Sequence, residues 1–188
     1  MNDTIRLFIA IELSSEAKKT LLNIVDTLKT SEADVKWADQ GTMHLTLRFL
    51  GDMPIKSIEK LKTKIPKILL GIAPFDFELS QIGVFSSWTT PQVLWVGARD
   101  ENNKLNNISE KIRQGTFFES FNKDKKAFVP HITLGRIKSS SHRVALRKIA
   151  RSIVVPPVKV NVSTVTLFSS KFAPGGVLHT PLARFDLK

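Results

Sequence analysis

Two tetrapeptides constrain this chain more than any other feature: His44-Leu45-Thr46-Leu47 and His131-Ile132-Thr133-Leu134, starting 87 positions apart. Each alternates polar and apolar residues, the period of a strand with one face on a core. On a strand, side chains at i and i+2 share a face, about 6.6 Å apart along the chain. His44 and Thr46 therefore look one way while Leu45 and Leu47 anchor the strand, and His131 and Thr133 do the same against Ile132 and Leu134. Two such strands in matching surroundings predict a chain built from two pseudo-related lobes.

The flanking segments predict the rest. Ile5, Leu7, Ile9 and Ile11 place a strand over residues 4–13. Ser14 or Ser15, with Glu16 following, opens a helix carrying Ala17, Leu21, Ile24, Val25 and Leu28 at helical spacing. A short strand is expected at 35–38 and a stronger one at 44–49. A second helix follows Gly51 and Pro54. Residues 75–85 and 93–98 read as extended, with helices around Leu105–Ile112 and at 143–152. A Phe-, Asn- and Lys-rich loop leads to a strand at 128–137. Residues 158–168 alternate as one strand, and Pro174-Gly175-Gly176 turns the chain into a last strand at 177–187. Strands and helices mix without a regular βαβ rhythm. The expectation is an α+β fold: one bilobal domain over 1–188, of mostly antiparallel sheet with flanking helices around a central cleft.

With 188 residues, 42% of them apolar, the chain can bury a real core. No apolar stretch reaches membrane-spanning length. The start of the chain has no basic leader and is interrupted by Arg6 and Glu12, which points to the cytoplasm and to no membrane association. Cysteine is absent, which excludes disulfides, thiolate metal sites and cysteine nucleophiles, and so is tyrosine. A net charge of +11, from 28 basic and 17 acidic residues, favours polyanionic partners, although a solvated basic surface would carry the same charge. Nothing points to an obligate protein partner.

The motif residues suit phosphodiester chemistry. Opening such a bond needs a base for the attacking oxygen and an acid for the leaving one, and imidazoles serve as both near neutral pH. Thr46 and Thr133 can donate to the non-bridging oxygens, where charge builds in the transition state. The scheme requires no metal and no cofactor. Neither motif has a second His, Cys or carboxylate at ligand spacing. The chain also lacks a phosphate-binding glycine loop and a Gly-x-Ser-x-Gly elbow.

Arg48 shares the parity of His44 and Thr46, and so is expected to point into the same groove and pair with phosphate. Arg136 has the wrong parity for a regular strand, but a bulge at Gly135 would re-aim it toward substrate. Phe8, Trp37 and Phe49 read as core. His142, opening a helix, and His179, in the terminal hairpin, read as ordinary surface histidines.

At this point the sequence resembles the 2H phosphoesterases, most closely the bacterial and archaeal RNA 2',3'-cyclic phosphodiesterases, also called 2'-5' RNA ligases. The resemblance runs through Arg6-Leu7-Phe8-Ile9-Ala10, His44 to Gly51, Pro91-Gln92-Val93-Leu94-Trp95 and Pro130 to Arg136. It ends in Pro174-Gly175-Gly176 and Leu182-Ala183-Arg184-Phe185. It implies two motifs facing across a cleft, with His44 as proton donor to the leaving 3'-oxygen and His131 as proton acceptor from water. The implied product is a 2'-phosphomonoester on RNA, with Thr46, Thr133 and Arg136 holding the phosphate. Near Phe168-Ser169-Ser170 the sequence departs from the Tyr and Arg that the family often has. RNA joining through the same groups in reverse, and non-catalytic RNA binding, are the alternatives.

Overall fold

A computed structural model of the chain describes residues 3–117, 127–174 and 176–188. The Phe-, Asn- and Lys-rich loop expected before the second motif lies largely outside these residues, as does Gly175 of the expected turn.

Among the described residues, nine strands and four helices follow one another as β1 (Thr4–Glu12), α1 (Ser15–Lys29), β2 (Val35–Trp37), β3 (His44–Pro54), α2 (Ser57–Leu69), β4 (Phe75–Ser86), β5 (Pro91–Arg99), α3 (Lys104–Gly115), β6 (His131–Ile137), α4 (Arg143–Ser152), β7 (Lys159–Val162), β8 (Thr164–Ala173) and β9 (Gly176–Asp186). All strands join one antiparallel sheet in the order β7-β4-β5-β6-β3-β1-β8-β9, with β2 on the flank of β6.

That order is a palindrome about the junction of β3 and β6. On either side, β1 corresponds to β5, β8 to β4 and β9 to β7. Each half of the chain lends its last strands to the other half's sheet: β4 pairs with β5, and β8 pairs with β1. The expected lobes are thus present but interleaved, sharing a single sheet rather than standing apart. The helices obey the same symmetry, α1 packing on α4 and α2 on α3.

Local sequence explains the elements. The Ser14 side chain accepts the Ala17 amide at 3.2 Å and caps α1, whose stripe of Ala17, Leu21, Ile24, Val25 and Leu28 is buried. Leu61, Ile65 and Leu69 of α2, Leu105, Ile108 and Ile112 of α3, and Leu146 and Ala150 of α4 do likewise. These stripes meet Leu7, Ile9, Ile11, Leu45, Leu47, Ile132, Leu134, Val165 and Leu167 from one face of the sheet, and this is the main core. The opposite face carries a separate small cluster of Phe8, Ala10 and Phe168.

One strand expected from alternation is in fact two. Val160 and Val162 are buried at even positions, whereas Val165 and Leu167 are buried at odd ones. The parity slips at Ser163, and there the chain leaves one end of the sheet for the other: β7 pairs with β4, and β8 with β1 and β9.

Candidate active site

The two motifs meet where the palindrome folds on itself. β3 and β6 are direct neighbours, paired at Leu45↔Ile132. They line the expected cleft as adjacent strands of one sheet. Antiparallel pairing places His44 opposite Thr133 and Thr46 opposite His131. Diagonal neighbours on one face of such a pair lie about 7–8 Å apart. The histidines take one diagonal of this rectangle and the threonines the other. Beyond this pair the strands part, and β2 takes the place of β3 beside Gly135, Arg136 and Ile137 of β6.

Each imidazole is held by the carbonyl two residues before it. His131 Nδ1 lies 2.7 Å from the Val129 carbonyl oxygen. A carbonyl can only accept, so Nδ1 carries the proton and Nε2 keeps its lone pair. His44 makes the equivalent hydrogen bond to the Thr42 backbone. Aromatic rings complete both seats: Phe8 stacks on His44 at 4.8 Å between centroids, and Phe85 meets His131 edge-on at 4.6 Å. Trp95 lies 5.5 Å from Phe85 and 6.2 Å from His131, over Gly83, where a Cβ would overlap the indole.

Burial sets the protonation states. Desolvation, the neighbouring His179 and, less strongly, His131 press the His44 pKa from 6.5 down to about 4, against the opposing pull of the Thr42 hydrogen bond. His131 is also lowered, first by burial and then by the charge of Arg136. Glu12 stands opposite His44 in the register of β1 and β3 and could have offset this. Its carboxylate is instead engaged by Thr166 Oγ1 at 2.7 Å and Arg184 Nε at 2.8 Å, which keep it ionised and turned away from the imidazole.

Bulges decide the two arginines in opposite senses. On β6 the register slips so that Leu94 pairs Gly135 and Trp95 pairs Thr133, leaving one extra residue on β6. Val93 and Trp95 share a face of β5, so their partners Arg136 and Thr133 share one too, and Arg136 joins the cleft. On β3 the register slips between Ala10↔Thr46 and Ile9↔Arg48. Arg48 therefore stands beside core-facing Ile9, at 9% exposure, and acts on Glu110 of α3. The expected place for Arg48 in the groove is incorrect, because the extra residue flips its side.

The same slip pairs Phe49 with Phe8, their rings 6.1 Å apart, and leaves Phe49 53% exposed at the cleft rather than in the core. Phe8 is buried, but in the cleft-side cluster and not the main core. Trp37 packs on the main core as expected. His142 precedes α4, with its ring at 3.0 Å from the Glu32 carbonyl oxygen.

His179 was missed by the sequence reading. It lies against His44 at 5.1 Å and Phe8 at 4.9 Å, both edge-on, with Nδ1 buried and without a hydrogen-bond partner. Counting back from the turn would have found it, since Ala173↔Gly176 implies Ser170↔His179, and Ser170 pairs with Arg6 of β1. Among the described residues no group of three His, Cys, Asp or Glu side chains is placed to hold a metal ion, and no helix is long and apolar enough to cross a membrane.

Comparison with known proteins agrees with this duplicated site. The family described as LigT like Phosphoesterase matches twice, over residues 11–95 and 96–179. These spans divide the chain within β5, one motif in each. A Thermotoga maritima protein named RNA 2',3'-cyclic phosphodiesterase is 30% identical over 177 residues, 94% of this chain and 92% of that one. An Escherichia coli protein of the same name is 28% identical, over 100% of this chain and 99% of its own. Among solved structures, a Thermus thermophilus protein superposes with a TM-score of 0.80 at 27% identity, covering 97% of this chain and 98% of that one. Apo LigT of Escherichia coli gives 0.78 at 25%, covering 99% of both. With the family matched over both halves and the motifs joined at the Leu45–Ile132 pair, the chain belongs to the LigT-like phosphoesterases.

Proposed function

We propose that this protein is an RNA 2',3'-cyclic phosphodiesterase that hydrolyses the cyclic end to a 2'-phosphomonoester. The observation that carries the reading is the single Leu45↔Ile132 pair, which sets two imidazoles on one diagonal and two hydroxyls on the other. A phosphorus atom centred on this rectangle has an imidazole on either side, as in-line displacement requires, and a threonine hydroxyl toward each non-bridging oxygen. The relatives' common name supplies the substrate class.

His131, with Nδ1–H given to Val129, offers the Nε2 lone pair to water. As the water oxygen attacks phosphorus, its proton passes to His131 and the P–O3' bond breaks. His44 delivers a proton to the departing 3'-oxygen. Burial holds the His44 pKa low, so the negative charge of the bound phosphodiester must raise it, and His44 takes its proton from solvent as the substrate binds. Thr46, Thr133 and Arg136 hold the phosphate oxygens. The protein works as one domain, in the cytoplasm, on RNA ends.

The test is turnover of a 2',3'-cyclic nucleotide with identification of the product. His44→Ala and His131→Ala should each lower kcat by about 10²–10⁴-fold, the usual contribution of a positioned acid or base. The product should be the 2'-phosphate, and EDTA should have no effect. Full activity in either variant would sink the two-histidine mechanism, and loss on chelation would replace it with a metal one.

A further inference from the structure

Beside Arg136, which the hydrolysis uses, β2 carries a second cation that it does not require. Lys36 of β2 stands directly opposite Arg136 of β6 in the antiparallel register. Directly opposed residues share a face, so Lys36 lies on the side that the β6 bulge gives to Arg136 and Thr133. Its neighbours confirm the parity: Val35 and Trp37 pack on the core and close over Gly135, where a Cβ would meet both.

Like charges directly opposed on neighbouring strands destabilise a sheet. Here both are exposed, and among the described residues neither forms an ion pair. Three arginines elsewhere on the same sheet are matched across strands: Arg6 with Asp52 at 2.9 Å, Arg99 with Glu78 at 3.6 Å, and Arg184 with Glu12 at 2.8 Å. The unmatched pair also sits where β2 replaces β3 beside β6, at the open end of the cleft next to the phosphate-holding residues.

The spacing fits a second phosphate. Between Thr133 and Arg136 the partner strand advances by two residues, from Trp95 to Val93, a step of about 6.6 Å. That is on the order of one backbone repeat of single-stranded RNA. Lys36, directly opposite Arg136, stands at the same step from the reacting centre. Resting on the proposed hydrolysis of RNA ends, we propose that Lys36, level with Arg136 on the neighbouring strand, forms a subsite for the phosphodiester on the 5' side of the terminal nucleotide. The chain thereby reads its substrate as an oligonucleotide rather than a cyclic mononucleotide.

The experiment compares kcat/KM for a dinucleotide ending in a 2',3'-cyclic phosphate with that for the cyclic mononucleotide, at low salt, in wild type, Lys36→Ala and Lys36→Arg. Lys36→Ala should lower the dinucleotide-to-mononucleotide ratio about three- to fivefold, the loss expected of one exposed lysine–phosphate contact, and Lys36→Arg should retain it. The salt dependence of dinucleotide kcat/KM should flatten by about 0.7 in logarithmic slope. A neutral methylphosphonate at the internal linkage should remove the wild-type preference. The melting temperature of Lys36→Ala should hold or rise, because a repulsion is relieved. An unchanged ratio in Lys36→Ala, or a wild type indifferent to the internal charge, overturns the subsite. Inactivity of the wild type on both substrates overturns the hydrolase reading instead. Lys36 is then tested by fluorescence anisotropy with a labelled 3'-phosphorylated oligonucleotide, where equal affinity in wild type and Lys36→Ala overturns the subsite on its own.

Discussion

The seat of His44 is stabilised only while the ring stays neutral, and this makes the fold's stability depend on pH in a calculable way. In the folded chain the pKa is held at about 4, against 6.5 in the open. Between those values the unfolded chain carries a proton at this site and the folded chain does not. Stability therefore falls as pH drops from 6.5 toward 4, and the contribution is whole above 6.5. At about 1.4 kcal/mol per pH unit, the gap amounts to about 3 kcal/mol for this one residue. In a chain of this size that corresponds to roughly 6–12 °C in melting temperature. His131 and His179 are lowered as well and act in the same direction, while ionised carboxylates such as Glu12 lose their partners at lower pH still. The measurement is thus a difference: urea unfolding of wild type and His44→Asn at pH 7.5 and pH 4. The variant should lose about 3 kcal/mol less than wild type over that range. An equal loss in both would mean that His44 titrates normally when folded. The proposed coupling between phosphate binding and proton uptake would then have no basis.

Two further substitutions test the register. Arg48→Met should leave KM for a cyclic nucleotide unchanged while lowering stability by about 1–3 kcal/mol, since the residue is buried on the α3 side of β3; a raised KM would return Arg48 to the cleft. Gly83→Ala should push the Trp95 indole off its place beside His131, costing about 1–3 kcal/mol and lowering kcat, as read by denaturation and turnover. Unaltered values for both would mean that the Trp95 seat is loosely packed.

Much of this protein is legible in the order of its residues. Alternation placed β1, β3 and β6, helical spacing and a serine cap placed α1, and His-x-Thr parity put all four motif side chains on one face. These are properties of a few neighbouring residues, because a strand's period of two and a helix's of 3.6 are local geometry. Tertiary structure alone decided what depends on counting residues across strands. A single inserted residue reverses every later side chain, so the bulges on β3 and β6 turned Arg48 inward and Arg136 outward from nearly identical sequence contexts. Only pairing brought His179 from the last strand to His44 from the third, and Lys36 to Arg136, a hundred positions further along the chain. The depressed pKa of His44 is of the same kind, since it arises from burial and from a neighbouring imidazole that adjacency in sequence does not supply.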